Sequence, residues 1–395
     1  MGGRAGWFQS GFRFGAAELE PEPEPEPLPV GASGPVVTVR PSWSFVATVA
    51  DGVTLQGAVQ GALPLDCLDV LLSETHLLVR RSEAVLEAWE VGSAPGLDGK
   101  PVWQQELPRD EADTALPLVP GGYVFPWPPF FAPLPASLRV QKLALGHEHA
   151  VLLDAWGALF TWGSSRHGQL GHGDLESLVE PQRVEALHGL PMGEVAAGGW
   201  HSACISETGD LYVWGWNEAG QLALPAKGGA QSSAAITAAP GGGTSEQEAA
   251  GTVVLIQAFP ALLDLPHEAE VSKVSCGSRH TAAVTRAGDL YTWGWGKYGQ
   301  LGHADTASSD QPKKVHYFME RGLCVVDVVC GPWTTYTCAI QNPPAGGSSS
   351  LRPEHSCPMP ESPPRGPQGS LGHSQASGAP LAPASNGHCQ WNTLP

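Results

Sequence analysis

One internal echo restricts the folds open to this chain more than any other feature. A unit that begins Ala144-Leu-Gly146-His-Glu-His149-Ala-Val-Leu-Leu continues through Gly157-Ala-Leu-Phe-Thr-Trp162-Gly163 to His167-Gly-Gln-Leu-Gly171. It returns as Ala197-Gly198-Gly-Trp-His201-Ser-Ala-Cys-Ile, Gly209-Asp-Leu-Tyr-Val-Trp214-Gly215 and Gly220-Gln-Leu222. A third copy reads Cys276-Gly277-Ser-Arg-His280-Thr-Ala-Ala-Val, Gly288-Asp-Leu-Tyr-Thr-Trp293-Gly294 and Tyr298-Gly-Gln-Leu-Gly302. Gly163 and Gly215 stand 52 residues apart, as do His149 and His201; the next interval is 79, and its surplus of 27 matches one insertion, Ala226 to Thr252. That insertion is mostly Ala, Gly, Ser, Thr, Gln and Glu and reads as a flexible loop. A fourth unit starts at Val329-Cys330-Gly331 and stops after Tyr336 and Ile340, without the Gly-x-Leu-Tyr-x-Trp-Gly strand.

Each unit holds two short apolar strands separated by a glycine turn and followed by a glycine-rich one. A period near 50 with several strands per unit is the pattern of propeller blades, which bury their faces only against neighbouring blades, so the ring must close. The 49 glycines and 37 prolines suit many short strands and tight turns and disfavour helix interiors. Residues 1–140 depart from the pattern. Pro41-Ser-Trp-Ser44-Phe-Val-Ala-Thr-Val before Gly52 looks like a degraded first strand pair, with Ser44 in the histidine position. Strand-like pieces such as Leu77-Leu78-Val79, Ala84 to Trp89 and Tyr123-Val-Phe suggest two or three diverged blades, or a separate small domain. Trp7-Phe-Gln-Ser-Gly11-Phe-Arg-Phe14-Gly15 matches the aromatic strand absent from the fourth unit, so the N-terminal strand is expected to complete the last blade. Pro21 to Pro27, alternating with Glu, reads as a stiff acidic loop. The stretch 341–395 holds 11 of the 37 prolines among Ser, Gly and Ala and is expected to be disordered. The fold class is therefore all-β: a seven-bladed propeller over 1–340, with regular repeats at 141–340, the loop at 226–252 and a disordered tail.

Gly-x-x-His, Gly-x-Leu-Tyr-x-Trp-Gly and Gly-Gln-Leu-Gly together resemble the repeat signature of the regulator of chromosome condensation family, whose fold is a seven-bladed propeller. About 340 residues divided by 52 gives about 6.5 units, in keeping with seven. The resemblance implies binding rather than catalysis. The founding member of the family is an exchange factor for a small nuclear GTPase and docks on nucleosomes partly through a basic arm. Here the first residues are aromatic and then acidic. From about Trp7 to Ile340 the chain closely resembles a vertebrate branch of the family. That resemblance implies a partner or regulatory subunit of a JmjC-type 2-oxoglutarate oxygenase, acting on histone or chromatin and in chromosome segregation, in the nucleus and on chromosomes, with the cytoplasm as a further location. The other function it leaves open is guanine nucleotide exchange on a small GTPase.

Charge narrows the partners. The net charge is −18, and the tail contributes zero, since Arg352 and Arg365 offset Glu354 and Glu361. An acidic body repels phosphates, so general DNA binding is not expected, whereas a basic partner such as a histone tail would be attracted. No stretch approaches 18 uninterrupted apolar residues, so no membrane span is expected. Cys204 and Cys276 sit in apolar runs, where a reduced thiol acts as a small hydrophobe.

Several motifs suggest chemistry but read better as structure. Gly294-Trp-Gly296-Lys-Tyr-Gly299 fits a dinucleotide fingerprint, yet Gln-Leu-Gly-His follows where a helix would be needed. His149, His201 and His280 recur once per blade, too far apart to converge on zinc, and are expected to make structural hydrogen bonds. Trp200, Trp214, Trp216, Trp293 and Trp295 are assigned to blade packing. No catalytic constellation stands out, so neither an enzyme nor a cofactor is expected. Two contact surfaces follow. Arg139, at the entry to the first regular blade, belongs to the diverged half. The turn residues Arg166, His167, Asn217, Glu218, Lys297 and Tyr298 should crowd one propeller face.

Overall fold

The computed structural model describes residues 5–12, 24–28, 38–94, 96–97, 99–108, 115–225 and 253–341. The insertion 226–252 and the tail 342–395 lie outside the described residues. Two strands precede the first complete blade, β1 (Gly6–Gly11) and β2 (Glu26–Pro27). Blade 1 comprises β3 (Thr38–Pro41), β4 (Phe45–Val49), β5 (Val53–Gly57) and β6 (Gly61–Ala62). Blade 2 comprises β7 (Cys67–Leu72), β8 (His76–Arg81), β9 (Val85–Glu90) and β10 (Trp103–Glu106). Among the described residues blade 3 comprises β11 (Leu118–Val119), β12 (Gly122–Val124) and β13 (Phe131–Pro133). Blade 4 runs β14 (Val140–Leu145), β15 (His149–Asp154), β16 (Leu159–Gly163) and β17 (Leu178–Arg183). Blade 5 runs β18 (Met192–Ala197), β19 (His201–Ser206), β20 (Leu211–Trp216) and β21 (Ile256–Leu263). Blade 6 runs β22 (Val271–Cys276), β23 (His280–Thr285), β24 (Leu290–Gly294) and β25 (Ser309–Lys314). A short helix, α1 (His316–Glu320), leads to β26 (Leu323–Cys330) and β27 (Thr334–Gln341).

The seventh sheet has the order β2-β1-β27-β26. The expected seven-bladed propeller closed by the N-terminal strand is the observed fold. β1 pairs antiparallel with β27 along its whole length, from Gly6 opposite Ala339 to Gly11 opposite Thr334. Two details differ from the sequence reading. Pro21–Pro27 is not loop throughout: Glu26 and Pro27 pair with Gln9 and Phe8 as the outer strand of this blade, and the Leu28 N–H donates to the Trp7 carbonyl. Proline is tolerated there because an edge strand need not donate on both sides. In blade 1, Phe45 holds the histidine position, not Ser44. Phe45 lies opposite Gly57 as His149 lies opposite Gly163, His201 opposite Gly215 and His280 opposite Gly294.

First strands of neighbouring blades touch one another, β14 to β18, β18 to β22, β22 to β26, β26 to β3 and β3 to β7. A one-residue bulge interrupts β7, β14, β18, β22 and β26, and the residue after it is Asp69, Lys142, Glu194, Lys273 and Asp327 in turn. Bulges re-aim side chains. With Arg40 on β3, these charges alternate in sign around the axis, broken only at blade 3. Arg40 forks onto Asp69 at 3.2 and 3.0 Å, and Glu194 takes Lys142 at 2.7 Å and Lys273 at 3.3 Å. Burial raises the Asp327 pKa, and Lys273 opposes that rise.

Candidate interaction face

The recurring histidines are welds between blades. Each begins the second strand of its blade and reaches the second residue of the equivalent strand in the next blade: His149 Nε2 to Ser202 Oγ, His201 Nε2 to Thr281 Oγ1, and His280 Nε2 to Thr335 Oγ1, all at 2.9 Å. The hydroxyls donate onward to the backbone carbonyls of Gln169, Gln221 and Gln300 at 2.7–2.8 Å. A hydroxyl has one proton, so it must accept from the imidazole, which fixes the proton on Nε2. The same Gln169 and Gln221 carbonyls accept the indole N–H of Trp214 and Trp293, each at 2.9 Å. Gly-Gln-Leu-Gly therefore plugs one blade into the next. Burial pushes the histidine pKa values down to about 3, 3 and 4, so all three imidazoles are neutral at physiological pH.

The tryptophans divide into two sets. Trp214 and Trp293 are fully buried at the welds, as packing requires. Trp200, Trp216 and Trp295 are instead half-exposed on one face. The cause is Gly215 and Gly294, whose φ of +109° and +103° breaks strand alternation, so the next indole leaves the sheet. A side chain at Gly215 would run into the Trp200 carbonyl, and one at Gly294 into that of Arg279.

These residues form an aromatic arc. The Trp200 and Trp216 rings stand 5.3 Å apart, edge to face, with the His167 ring 6.0 and 5.3 Å from them and His147 5.3 Å from Trp200. The Arg279 guanidinium lies 4.7 Å from the Trp216 centroid. Beyond it, Trp295 contacts Tyr298 at 5.0 Å and Trp333 at 4.9 Å. Trp333 in turn meets Trp43 of blade 1 at 5.2 Å, and Phe12 packs on Tyr298 at 5.4 Å. The Trp200 indole N–H is buried without a partner. Burial, and then Arg166, lower the His167 pKa.

Of the turn residues singled out from sequence, His167 and Tyr298 join this arc, and Arg166, Glu218 and Lys297 are exposed beside it. Arg166 is paired with Glu148. Asn217 is not a surface contact. It is fully buried, its amide nitrogen donates to the carbonyls of Leu224 at 2.9 Å and Val254 at 2.8 Å, and its oxygen accepts from the Leu222 N–H at 2.9 Å. It thus pins both flanks of the 226–252 insertion, where the other blades have Ser165 and Gly296. Arg139 is exposed at the opposite end of its blade. Val140 pairs with Asp154, whereas the turn carrying Arg166 follows Gly163, which pairs with His149. Its guanidinium lies 5.8 Å from the ring of the exposed Trp156. The sequence reading missed Phe12, Trp43, His147, Arg279 and Trp333; the signal was present as aromatic or cationic residues just before the histidine positions and just after the paired glycines.

A family model described as the regulator of chromosome condensation (RCC1) repeat matches residues 157–205, 208–284 and 287–338. The chain is 48% identical over 335 residues to the human protein named RCC1 domain-containing protein 1, covering 78% of this chain and 88% of that one. The chain belongs to the regulator of chromosome condensation repeat family. The mouse RCC1 domain-containing protein 1 is 49% identical over 339 residues, with 78% and 89% coverage. A crystal structure of Prp20p from Saccharomyces cerevisiae, described with its binding properties to Gsp1p and histones, superposes with a TM-score of 0.63 at 15% identity, covering 87% of this chain and 93% of that one. That likeness shows the propeller fold. No helix among the described residues is long and apolar enough to cross a membrane.

Proposed function

We propose that this RCC1 propeller is a non-catalytic interaction module that engages a partner protein through its aromatic face. The single observation that carries the reading is the arc from His147 to Trp43, in which half-exposed indoles and a guanidinium line up across successive blades. Aromatic and arginine side chains dominate binding hot spots, because they bury much area with few rotors.

The partner is a JmjC-type 2-oxoglutarate oxygenase working on chromatin, and the chain acts as its regulatory subunit in the nucleus. The resemblance in the repeat region and the acidic body, suited to company with basic histones, support this assignment. The test is affinity purification of tagged chain with and without Trp295→Ala and Arg279→Glu, followed by turnover of the pure oxygenase with each protein added. Capture of the oxygenase, a change in its turnover, and loss of both in the variants are expected. Unchanged capture by the double variant removes the face from the proposal, and absence of the oxygenase removes the partner. A nucleotide-release assay on a small nuclear GTPase addresses exchange activity, which the reading does not expect.

A further inference from the structure

We propose that the aromatic face takes an acidic segment of its partner protein, with a glutamate or aspartate side chain seated on Arg279 and apolar side chains on the indoles to either side. This deepens the reading of the face as the contact surface and rests on it. Blades 5, 6 and 7 each present two side chains here, the residue before the histidine position and the residue after the paired glycine. In blade 5 these are Trp200 and Trp216, and in blade 6 Arg279 and Trp295. In blade 7 they are Trp333 and Phe12, since Gly11 lies opposite Thr334 and has a φ of +107°, like its counterparts. Arg279 is the one cation in this aromatic row. Its guanidinium lies over the Trp216 ring of the preceding blade, and its carbonyl accepts the backbone N–H of Trp295 at 2.8 Å.

The charge on Arg279 is uncompensated. Arg40, Arg81, Arg166, Arg286 and Arg321 each hold a carboxylate. Arg279 pairs with none among the described residues, although the chain carries 39 acidic residues against 21 basic ones. Two carboxylates of this face are already taken. Arg166 holds Glu148, and Glu74 accepts from the Ser42 and Ser44 hydroxyls and the Trp43 N–H at 2.6, 2.8 and 2.7 Å. Lys297, exposed two residues after Trp295, also lacks a carboxylate among the described residues, so blade 6 offers two cations around one indole. A guanidinium laid on an aromatic ring keeps its N–H edge for a two-pronged acceptor, and the ring shields it from water on one side. The indole pairs Trp200–Trp216 and Trp295–Trp333, on either side of Arg279, suit large apolar residues flanking the acid. A peptide is favoured over nucleic acid, because a body of net charge −18 repels a polyanion, whereas a single carboxylate among apolar neighbours meets mainly the local cations.

The probe is a phage-displayed library of random peptides selected on the full chain, followed by fluorescence anisotropy of the strongest labelled synthetic peptide. Enrichment of Asp or Glu flanked by aromatic or aliphatic residues is expected, and changing the acid to its amide should weaken binding at least tenfold. Arg279→Gln in the protein should weaken it as much, and the two changes together no further, because both remove the same contact. On Arg279→Glu the selection should turn to Lys or Arg at the position of the acid. If Arg279→Gln fails to fold by circular dichroism, Lys297→Gln is read instead; it should weaken the acidic peptide at least threefold and the amide form not at all. Selected peptides without an acid, an amide change without effect, losses that simply add, or displacement of the peptide by single-stranded DNA overturn the proposal. Peptides that lose affinity with Trp295→Ala but not with Arg279→Gln sink the acidic contact and leave the aromatic face standing. No oxygenase enters the assay, so failure here is separate from failure of that partner assignment.

Discussion

His149, His201 and His280 are held neutral by burial, and that has a pH signature. In the unfolded chain each titrates near its ordinary value of 6.5, but in the folded protein near 3 to 4. Between those limits the unfolded state binds more protons, so stability is fully present above about pH 6.5 and is lost as the pH falls toward the folded values. Each histidine steepens the loss by about 1.4 kcal/mol per pH unit. His201→Gln keeps a donor for Thr281 and removes the titration. It should cost about 1–2 kcal/mol at pH 7 and flatten the slope by about 1.4 kcal/mol per unit between pH 6 and 4. Urea denaturation of both proteins across that range measures this, and parallel slopes would contradict the neutral assignment. The carboxylates cancel in the comparison.

At the scale of elements, Asn217 shows how one side chain stabilises a turn interrupted by a long insertion. Its amide closes the loop where Leu224 and Val254 approach each other. Asn217→Ala strands two carbonyls and one N–H, at a cost of roughly 2–4 kcal/mol. Exchange of the Leu222 amide hydrogen, bonded to Asn217 Oδ1, should accelerate at least tenfold; an unchanged rate would show that water replaces the side chain. Legibility follows the same chemistry. Blades 4 to 6 could be read because histidine, hydroxyl and Gln-Leu-Gly recur together as one interface. Blade 1 could not be registered correctly because Phe45 shares an apolar cluster with Leu77 of blade 2, and an apolar contact has no motif. Among the described residues blade 3 has no fourth strand, and Trp162 of blade 4 bonds the Tyr123 hydroxyl of blade 3 at 3.1 Å instead of a glutamine carbonyl. The two-residue β2 was hidden in a Pro-Glu run too short to show alternation. At the interaction face, Trp216 and Trp295 looked like packing residues because they sit two positions after buried indoles, where a strand would keep the same side. The left-handed glycine between them reverses that expectation.

For the whole molecule, the decisive contact is between residues distant in sequence. Trp7 is 4% exposed and shares a cluster with Leu28, Val39, Val46, Tyr336 and Cys338, so it joins blade 7 to blade 1 as well as β1 to β27. A ring transmits the loss of one joint to every blade, because each sheet has a face that only its neighbour covers. Trp7→Ala should therefore lower stability by about 3–5 kcal/mol. Removal of residues 1–30 should do more: it leaves β27 as an unpaired edge and uncovers the faces of blades 7 and 1, so the truncated chain should melt lower, elute earlier on gel filtration and aggregate on concentration. Calorimetry and elution volume read this directly. A truncated chain with the parent's melting temperature and elution volume would mean that the other six blades hold the ring without the N-terminal strands, and the closure would then be a decoration of a self-sufficient arc.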